Sequence, residues 1–205
     1  LSRLLLVRHG ITEHNSNNRF AGYSDIELSD EGYRQVRKLA DRLAGEKIDA
    51  VYSSDLKRAV ATAEAIASRH EVEITQRPEL REMNYGDIEG MTFRELHQSY
   101  PDIAESIIHF NTGLCFPGGE SFKEFTTRSC GFLETLAGYG EDQTVLIVSH
   151  GGVLKVLVCN LLGIDHSHWP QIGFDNASLS IVNTYRRRVI LNLLNDTSHL
   201  KDADR

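Results

Sequence analysis

Two apolar runs set most of what this chain can become. Leu4-Leu5-Leu6-Val7 and Val145-Leu146-Ile147-Val148 each end within two residues at a histidine followed by glycine, first as Arg8-His9-Gly10 and then as Ser149-His150-Gly151-Gly152. Short apolar runs bounded by glycine are the pattern of strands buried on both faces, as in parallel sheets covered by helices. In such sheets ligands sit beyond the carboxyl ends of the strands. Two imidazoles delivered there, one beside an arginine, point to one site for an anion and a nucleophile.

The segments between those runs complete the pattern. Ser29 is placed to cap a helix with Asp30 and Glu31 in its first turn, and Val36, Leu39, Ala40 and Leu43 form its apolar stripe up to Gly45. Ile48 to Ser53 predicts a second strand, followed by an alanine-rich helix from about Leu56 to Ser68; Val72 to Thr75 predicts a third, short strand. Thr92 with Glu95 and Ser121 with Glu124 are capping boxes that start helices near Phe93 and Phe122, and Pro101 interrupts the first. The second should run to about Gly138, with Phe122, Phe125 and Phe132 facing the core. A strand from Thr144 to Ser149 and a helix from Val153 to Leu162, closed by Gly163, follow. Two last runs, Ala177 to Asn183 and Val189 to Leu194, are joined too closely for a parallel crossover and so pair antiparallel. The expected fold is a three-layer α/β/α sandwich, its sheet mostly parallel with an antiparallel edge strand, as a single domain over residues 1–205.

Composition excludes several classes of partner. A net charge of −7 leaves no basic face for nucleic acid or an anionic membrane. No apolar run approaches the roughly 20 residues of a membrane span. The opening Leu1 to Val7 meets a charge at Arg8 before a signal-peptide core develops, so a cytoplasmic protein is expected. Cys115, Cys130 and Cys159 lack metal or redox spacing and read as small buried hydrophobes. His166-Ser167-His168 lacks further ligands at zinc spacing and reads as surface loop, as Arg186-Arg187-Arg188 reads as a solvated hairpin turn.

Three more features fall at predicted strand ends. Arg58, in Ser53-Ser54-Asp55-Leu56-Lys57-Arg58, lies in the first turn of the helix after the second strand. Together with Arg8 and a helix N-terminus it would bind a dianionic phosphate by bidentate, charge-assisted bonds. Glu82, in the loop after the third strand, is placed to protonate a leaving alkoxide and then to deprotonate a water. His150 is placed to donate to the transferring group. The competing structural readings pair Glu82 with Arg81 or Arg58, give Asn15 an Asx-turn, and use Glu120 to cap the helix at Ser121.

Arg8-His9-Gly10, Asn18-Arg19-Phe20-Ala21-Gly22, the Ser53 to Thr62 block, Glu82 with Tyr85-Gly86, Pro117-Gly118-Gly119-Glu120-Ser121 and Val148-Ser149-His150-Gly151 together resemble the histidine phosphatases, the superfamily that includes cofactor-dependent phosphoglycerate mutase. The resemblance implies His9 as nucleophile, Arg8, Arg58 and His150 holding the phosphoryl group, Glu82 as acid and base, and Asn15 near the phosphate. It implies neither metal nor cofactor, because the arginines and His150 supply the positive field. The expected partner is a small phosphomonoester, and the protein a monomer or a homodimer.

Within that family, Met83 stands where the mutases have an arginine, and Gln98 to Gly119 contains no Lys or Arg. A second phosphate would have no cation to hold it, so a monophosphatase is expected rather than a phosphoglycerate mutase. The Pro117 to Ser121 loop and the Asp196-Thr197-Ser198-His199 tail resemble the phosphatase branch, which contains α-ribazole-phosphate phosphatases, phosphoserine phosphatases and broad-specificity enzymes; the Val148 to Leu154 and Trp169 regions resemble the first of these, making α-ribazole 5'-phosphate the favoured substrate. The alternative of another class is a phosphate-binding module without turnover.

Overall fold

The computed structural model describes residues 2–140 and 142–201. The domain expected over 1–205 therefore includes positions outside the described ones. Six strands, β1 (Ser2–Arg8), β2 (Ala50–Ser53), β3 (Ile74–Gln76), β4 (Gln143–Ser149), β5 (Leu179–Tyr185) and β6 (Arg188–Asp196), form one sheet in the order β3-β2-β4-β1-β5-β6. β1, β2, β3 and β4 pair in parallel, with Val7 opposite Val148 and Ser53 opposite the same Val148. Beyond β1 the pairing turns antiparallel, β5 against β1 and β6 against β5, as the short connection requires.

The two-residue period of a strand divides the apolar run of β1 between two cores. Leu4 and Leu6 face one, with Val145, Ile147 and Phe125; Leu5 and Val7 face the other, with Leu39, Ala63 and Ile66. Helices α2 (Asp30–Leu43) and α3 (Lys57–Ala67) cover the second face, with the short α1 (Glu13–Ser16) in the loop after β1. Helices α4 (Phe93–Ser99), α5 (Pro101–Ile108), α6 (Phe122–Gly131) and α7 (Gly151–Leu162) contribute to the first. This is the expected three-layer sandwich, and the phenylalanine stripe of α6 is core.

Several boundaries differ from expectation. The helix from Phe122 tightens into 3₁₀ geometry over Phe132–Gly138, the change falling beside Gly131, a residue that does little to hold an α-helix. The third strand lies at Ile74–Gln76, beginning two residues and ending one residue later than expected, and α7 begins at Gly151 instead of Val153. The final hairpin turns on Arg186-Arg187 alone, both exposed. Of the cysteines only Cys159 is buried; Cys115 is exposed because it lies in the Pro/Gly loop, not on a packed element. His166 to Gln171 form a 3₁₀ turn started by the Asp165 carboxylate. Among the described residues no helix is long and apolar enough to cross a membrane.

Candidate active site

His9 and His150 leave adjacent parallel strands at the same height, since Arg8 pairs with Ser149. Their rings lie 5.0 Å apart at 61°. Both are almost fully buried. His9 Nδ1 bonds the Gly10 carbonyl at 2.7 Å; a carbonyl only accepts, so Nδ1 carries the proton and Nε2 keeps its lone pair. Burial, and then the positive charges of Arg58 and Arg8, push His9 well below the ordinary histidine range, against the opposing effect of the Gly10 bond. A neutral imidazole with a free lone pair is what nucleophilic attack needs.

The backbone under His9 is held from three directions. His9 N donates to Ser149 O at 3.0 Å, and Gly10 N donates to Thr62 Oγ1 at 3.2 Å. Asn176 Nδ2 donates to His9 O at 3.2 Å and to Asn15 Oδ1 at 3.2 Å. Nothing in the sequence signals Asn176, which lies 167 residues from His9. Asn15 is the N3 residue of a capping box, its Oδ1 taking the Thr12 N–H at 3.1 Å, while its Nδ2 bonds no described residue. Its carbonyl oxygen is thus structural, and only the amide nitrogen is available to a ligand.

Arg8, the last residue of β1, donates from Nη1 to Phe174 O at 2.6 Å. Its Nε is buried without a partner and faces Gly151, the first residue of α7. An orphaned buried donor beside a helix N-terminus is satisfied by an anion. Arg58 is 1% exposed, and burial lowers it to about 10 although Glu82, Glu89 and Asp25 oppose the shift. Its guanidinium differs from the expected bidentate clamp. Nη1 donates to Ser24 O at 2.7 Å, Nη2 to Ala21 O at 3.0 Å and Gly22 O at 2.7 Å, and Nε to His150 Nδ1 at 3.2 Å. Of five N–H groups one remains, so Arg58 secures the 21–24 loop and presents charge more than a fork.

His150 accepts at Nδ1 from Arg58, which leaves its proton on Nε2 to donate to Ser54 Oγ at 2.9 Å. Burial and the neighbouring Arg58, His9 and Arg8 hold it well below the ordinary range. Ser54 lies within a motif that the sequence already singles out, but its role depends on a contact across 96 residues.

Glu82 takes neither of its structural alternatives, because Arg81 pairs with Asp55 (Nε to Oδ1, 2.7 Å) and Arg58 faces the loop carbonyls. Its Oε2 accepts from Gly152 N and its Oε1 from Met83 N, both at 3.0 Å. A Cβ at Gly152 would stand 2.3 Å from Oε1, so the second glycine of Gly151-Gly152 is what admits the carboxylate to the α7 terminus. The glycine pair at a helix start was the available signal for it. Glu120 does not cap α6 either: Glu124 fills that box with Ser121, and Glu120 forks with Arg128.

At Met83, the residue after Glu82, opens a cavity of about 230 Å³ whose lining includes the aromatic rings of Phe20, Tyr85, Phe110, Phe116, Phe122 and Trp169. Lys155 is the one cation among its described lining residues, its Nζ 5.4 Å from the Trp169 ring centre. Burial lowers Lys155, opposed by the charge of Glu82. Lys155 comes from α7, outside the Gln98 to Gly119 segment whose lack of Lys and Arg argues against a mutase.

Two histidines, two arginines and a carboxylate meet at the strand ends of a three-layer sandwich, a set of residue types suited to a phosphoryl group. The sequence profile of the histidine phosphatase superfamily (branch 1) matches residues 4–197. Phosphoserine phosphatase 1 of Hydrogenobacter thermophilus is 36% identical over 97% of this chain and 94% of its own length. The adenosylcobalamin/alpha-ribazole phosphatase of Escherichia coli is 30% identical over 94% of this chain and 95% of its own. The alpha-ribazole phosphatase structure from Shigella flexneri superposes with a TM-score of 0.87 at 31% identity, covering 95% of this chain and 96% of that one. The chain belongs to the histidine phosphatase superfamily, and it is an enzyme that hydrolyses phosphate monoesters.

Proposed function

We propose that residues 1–205 form one domain that hydrolyses a small phosphomonoester through a phosphohistidine at His9, without a metal. The observation that carries this is the His9 imidazole, neutral, with its proton fixed on Nδ1 by Gly10 and its lone pair on Nε2. The phosphoryl group lies between Arg8 and His150. As the dianion arrives, Arg8 Nε gains its missing acceptor. As the Arg58 bond is released, His150 takes a proton from solvent at Nδ1 and hydrogen-bonds that N–H to a phosphoryl oxygen, and the proton returns to solvent when phosphate leaves. His9 Nε2 bonds to phosphorus, the ester P–O bond breaks, and protonated Glu82 gives its proton to the leaving alkoxide. In the second half, the Glu82 carboxylate takes a proton from water as the water oxygen attacks phosphorus. The P–N bond then breaks, releasing phosphate and neutral His9.

The aromatic rings lining the cavity at Met83 favour an alcohol that carries a flat apolar ring, of which α-ribazole 5'-phosphate is the representative. They are poorly suited to the small zwitterion of phosphoserine. Lys155 alone would hold a second phosphate weakly, as a point charge without a fork, which supports hydrolysis over mutase chemistry. Brief reaction with labelled substrate should leave label on His9 that survives alkali and is lost in acid, and His9→Ala should not label. Chelator should leave turnover unchanged, and kcat/KM should be higher for α-ribazole 5'-phosphate than for phosphoserine or 3-phosphoglycerate. Label in the His9→Ala protein would overturn the nucleophile; a preference for phosphoserine would overturn the substrate.

A further inference from the structure

Arg128, on α6, hydrogen-bonds neither histidine, although its charge is felt at His150, and it binds the backbone on which Glu82 is mounted. Its Nη1 donates to Glu79 O at 2.8 Å and Arg81 O at 2.9 Å, and its Nη2 to Glu82 O at 3.2 Å. The same guanidinium forks onto Glu120, Nε to Oε1 at 2.8 Å and Nη2 to Oε2 at 2.9 Å. Glu120 Oε2 then accepts the Asn84 N–H at 3.0 Å, and Glu120 N donates to Asn84 O at 2.9 Å. Residues 79 to 84 are therefore gripped on both sides of Glu82 by one half-buried ion pair. That turn has little regular structure of its own beyond a 3₁₀ segment at Pro78–Leu80, so its carbonyls have few internal partners.

We infer that Arg128 and Glu120 are positioning residues that fix the proton-transferring carboxyl of Glu82 relative to the phosphoryl site. The inference rests on the reading of Glu82 as acid and base. A helix is a stiffer mount than a loop, and α6 is anchored in the core by Phe125. Phe125 also lies against Gly152, the residue that admits the Glu82 carboxylate to α7. The grip sets the backbone of Glu82 while Gly152 and Met83 set its oxygens. A planar fork with several acceptors is not replaced by an ammonium, so lysine at 128 keeps the charge and loses the geometry.

The test uses single-turnover rates on two leaving groups, since a poor alkoxide needs the proton and p-nitrophenolate hardly does. Arg128→Lys and Glu120→Gln, each checked for an unchanged thermal transition, should lower the rate on an alkyl phosphate by about tenfold to a hundredfold. The rate on p-nitrophenyl phosphate should fall less than about threefold, with KM for both substrates nearly unchanged. In a Glu82→Gln background Arg128→Lys should add no further loss, because no proton transfer remains to be misplaced. Equal losses on both leaving groups, or full additivity with Glu82→Gln, would overturn the positioning role while leaving Glu82 as the acid. Glu82→Gln that is itself indifferent to the leaving group would overturn the reading beneath it.

Discussion

At the scale of single residues, the site is governed by what is fixed and what is left free. His9 Nδ1 is fixed by Gly10, Glu82 by Gly152 and Met83, and Arg58 by the 21–24 carbonyls, while Arg8 Nε and one Arg58 N–H have no partner among the described residues. Gly152 is the sharpest case because its effect is steric and local. Its absent Cβ would lie 2.3 Å from Glu82 Oε1 and 3.2 Å from Phe125 Cζ. On the proposed role of Glu82, Gly152→Ala should displace the carboxylate and lower kcat on an alkyl phosphate by about a hundredfold, within the usual range for losing a general acid. Overpacking against Phe125 should cost about 1–3 kcal/mol of stability, read from a denaturant midpoint. Gly151→Ala is the comparison, since its Cβ meets Arg8 no closer than 3.5 Å, an ordinary contact. Its loss in kcat should be much smaller. Similar losses for the two variants would show that the carboxylate has room to move aside.

At the scale of elements, periodicity and capping chemistry carry far along the chain. Ser29, Thr92 and Ser121 each cap a helix where the sequence places one, and Gly163 closes α7 with a left-handed φ of +68°. A Cβ at Gly163 would meet nothing within 4 Å, so only the backbone conformation opposes a side chain there. Gly163→Ala should therefore destabilise by about 1–2 kcal/mol, measured by urea unfolding, with kcat/KM unchanged. A neutral result would mean that α7 ends equally well in another way. Local signals like these, together with strand-end histidines and arginines, made the sandwich and the candidate site residues readable in advance. What stayed hidden depends on contacts between distant segments. Asn176 under His9, Arg128 behind Glu82 and Lys155 in the aromatic cavity are unremarkable where they stand in the chain. Each acquires its place only when β5, α6 and α7 dock on the sheet. The 3₁₀ tightening at Phe132 left a single local trace, the Gly131 beside it, while the apolar stripe runs on through the change.

Across the whole molecule, packing helices on both faces of the sheet buries two imidazoles among arginines, and this links the site to stability. His9 and His150 have folded-state values well below the unfolded value of about 6.5, because burial and then Arg58 penalise their charged forms. His199 is lowered as well, mainly by burial. Well above pH 6.5 these histidines are neutral in both states, and their effect on the balance sets in as pH approaches 6.5. Below it the unfolded chain binds protons that the folded one refuses, so stability falls with acidification, by at most about 1.4 kcal/mol per pH unit for each histidine. Carboxylates held low enter later. Asp196, at about 2 through the Ser198 N–H and Arg42, gives stability that is present above the unfolded value near 3.9 and is lost as pH falls toward 2. The urea midpoint should therefore drop between pH 7 and pH 5.5, before any such carboxylate titrates, in a buffer free of phosphate. Adding inorganic phosphate should reduce the drop, since a bound dianion removes the penalty on a protonated His150. His9→Gln should flatten the slope by about one proton. A midpoint equal at pH 7 and 5.5 in the unmodified protein would mean that the folded state accepts those protons, and His9 would then lose its lone pair in the range where attack requires it.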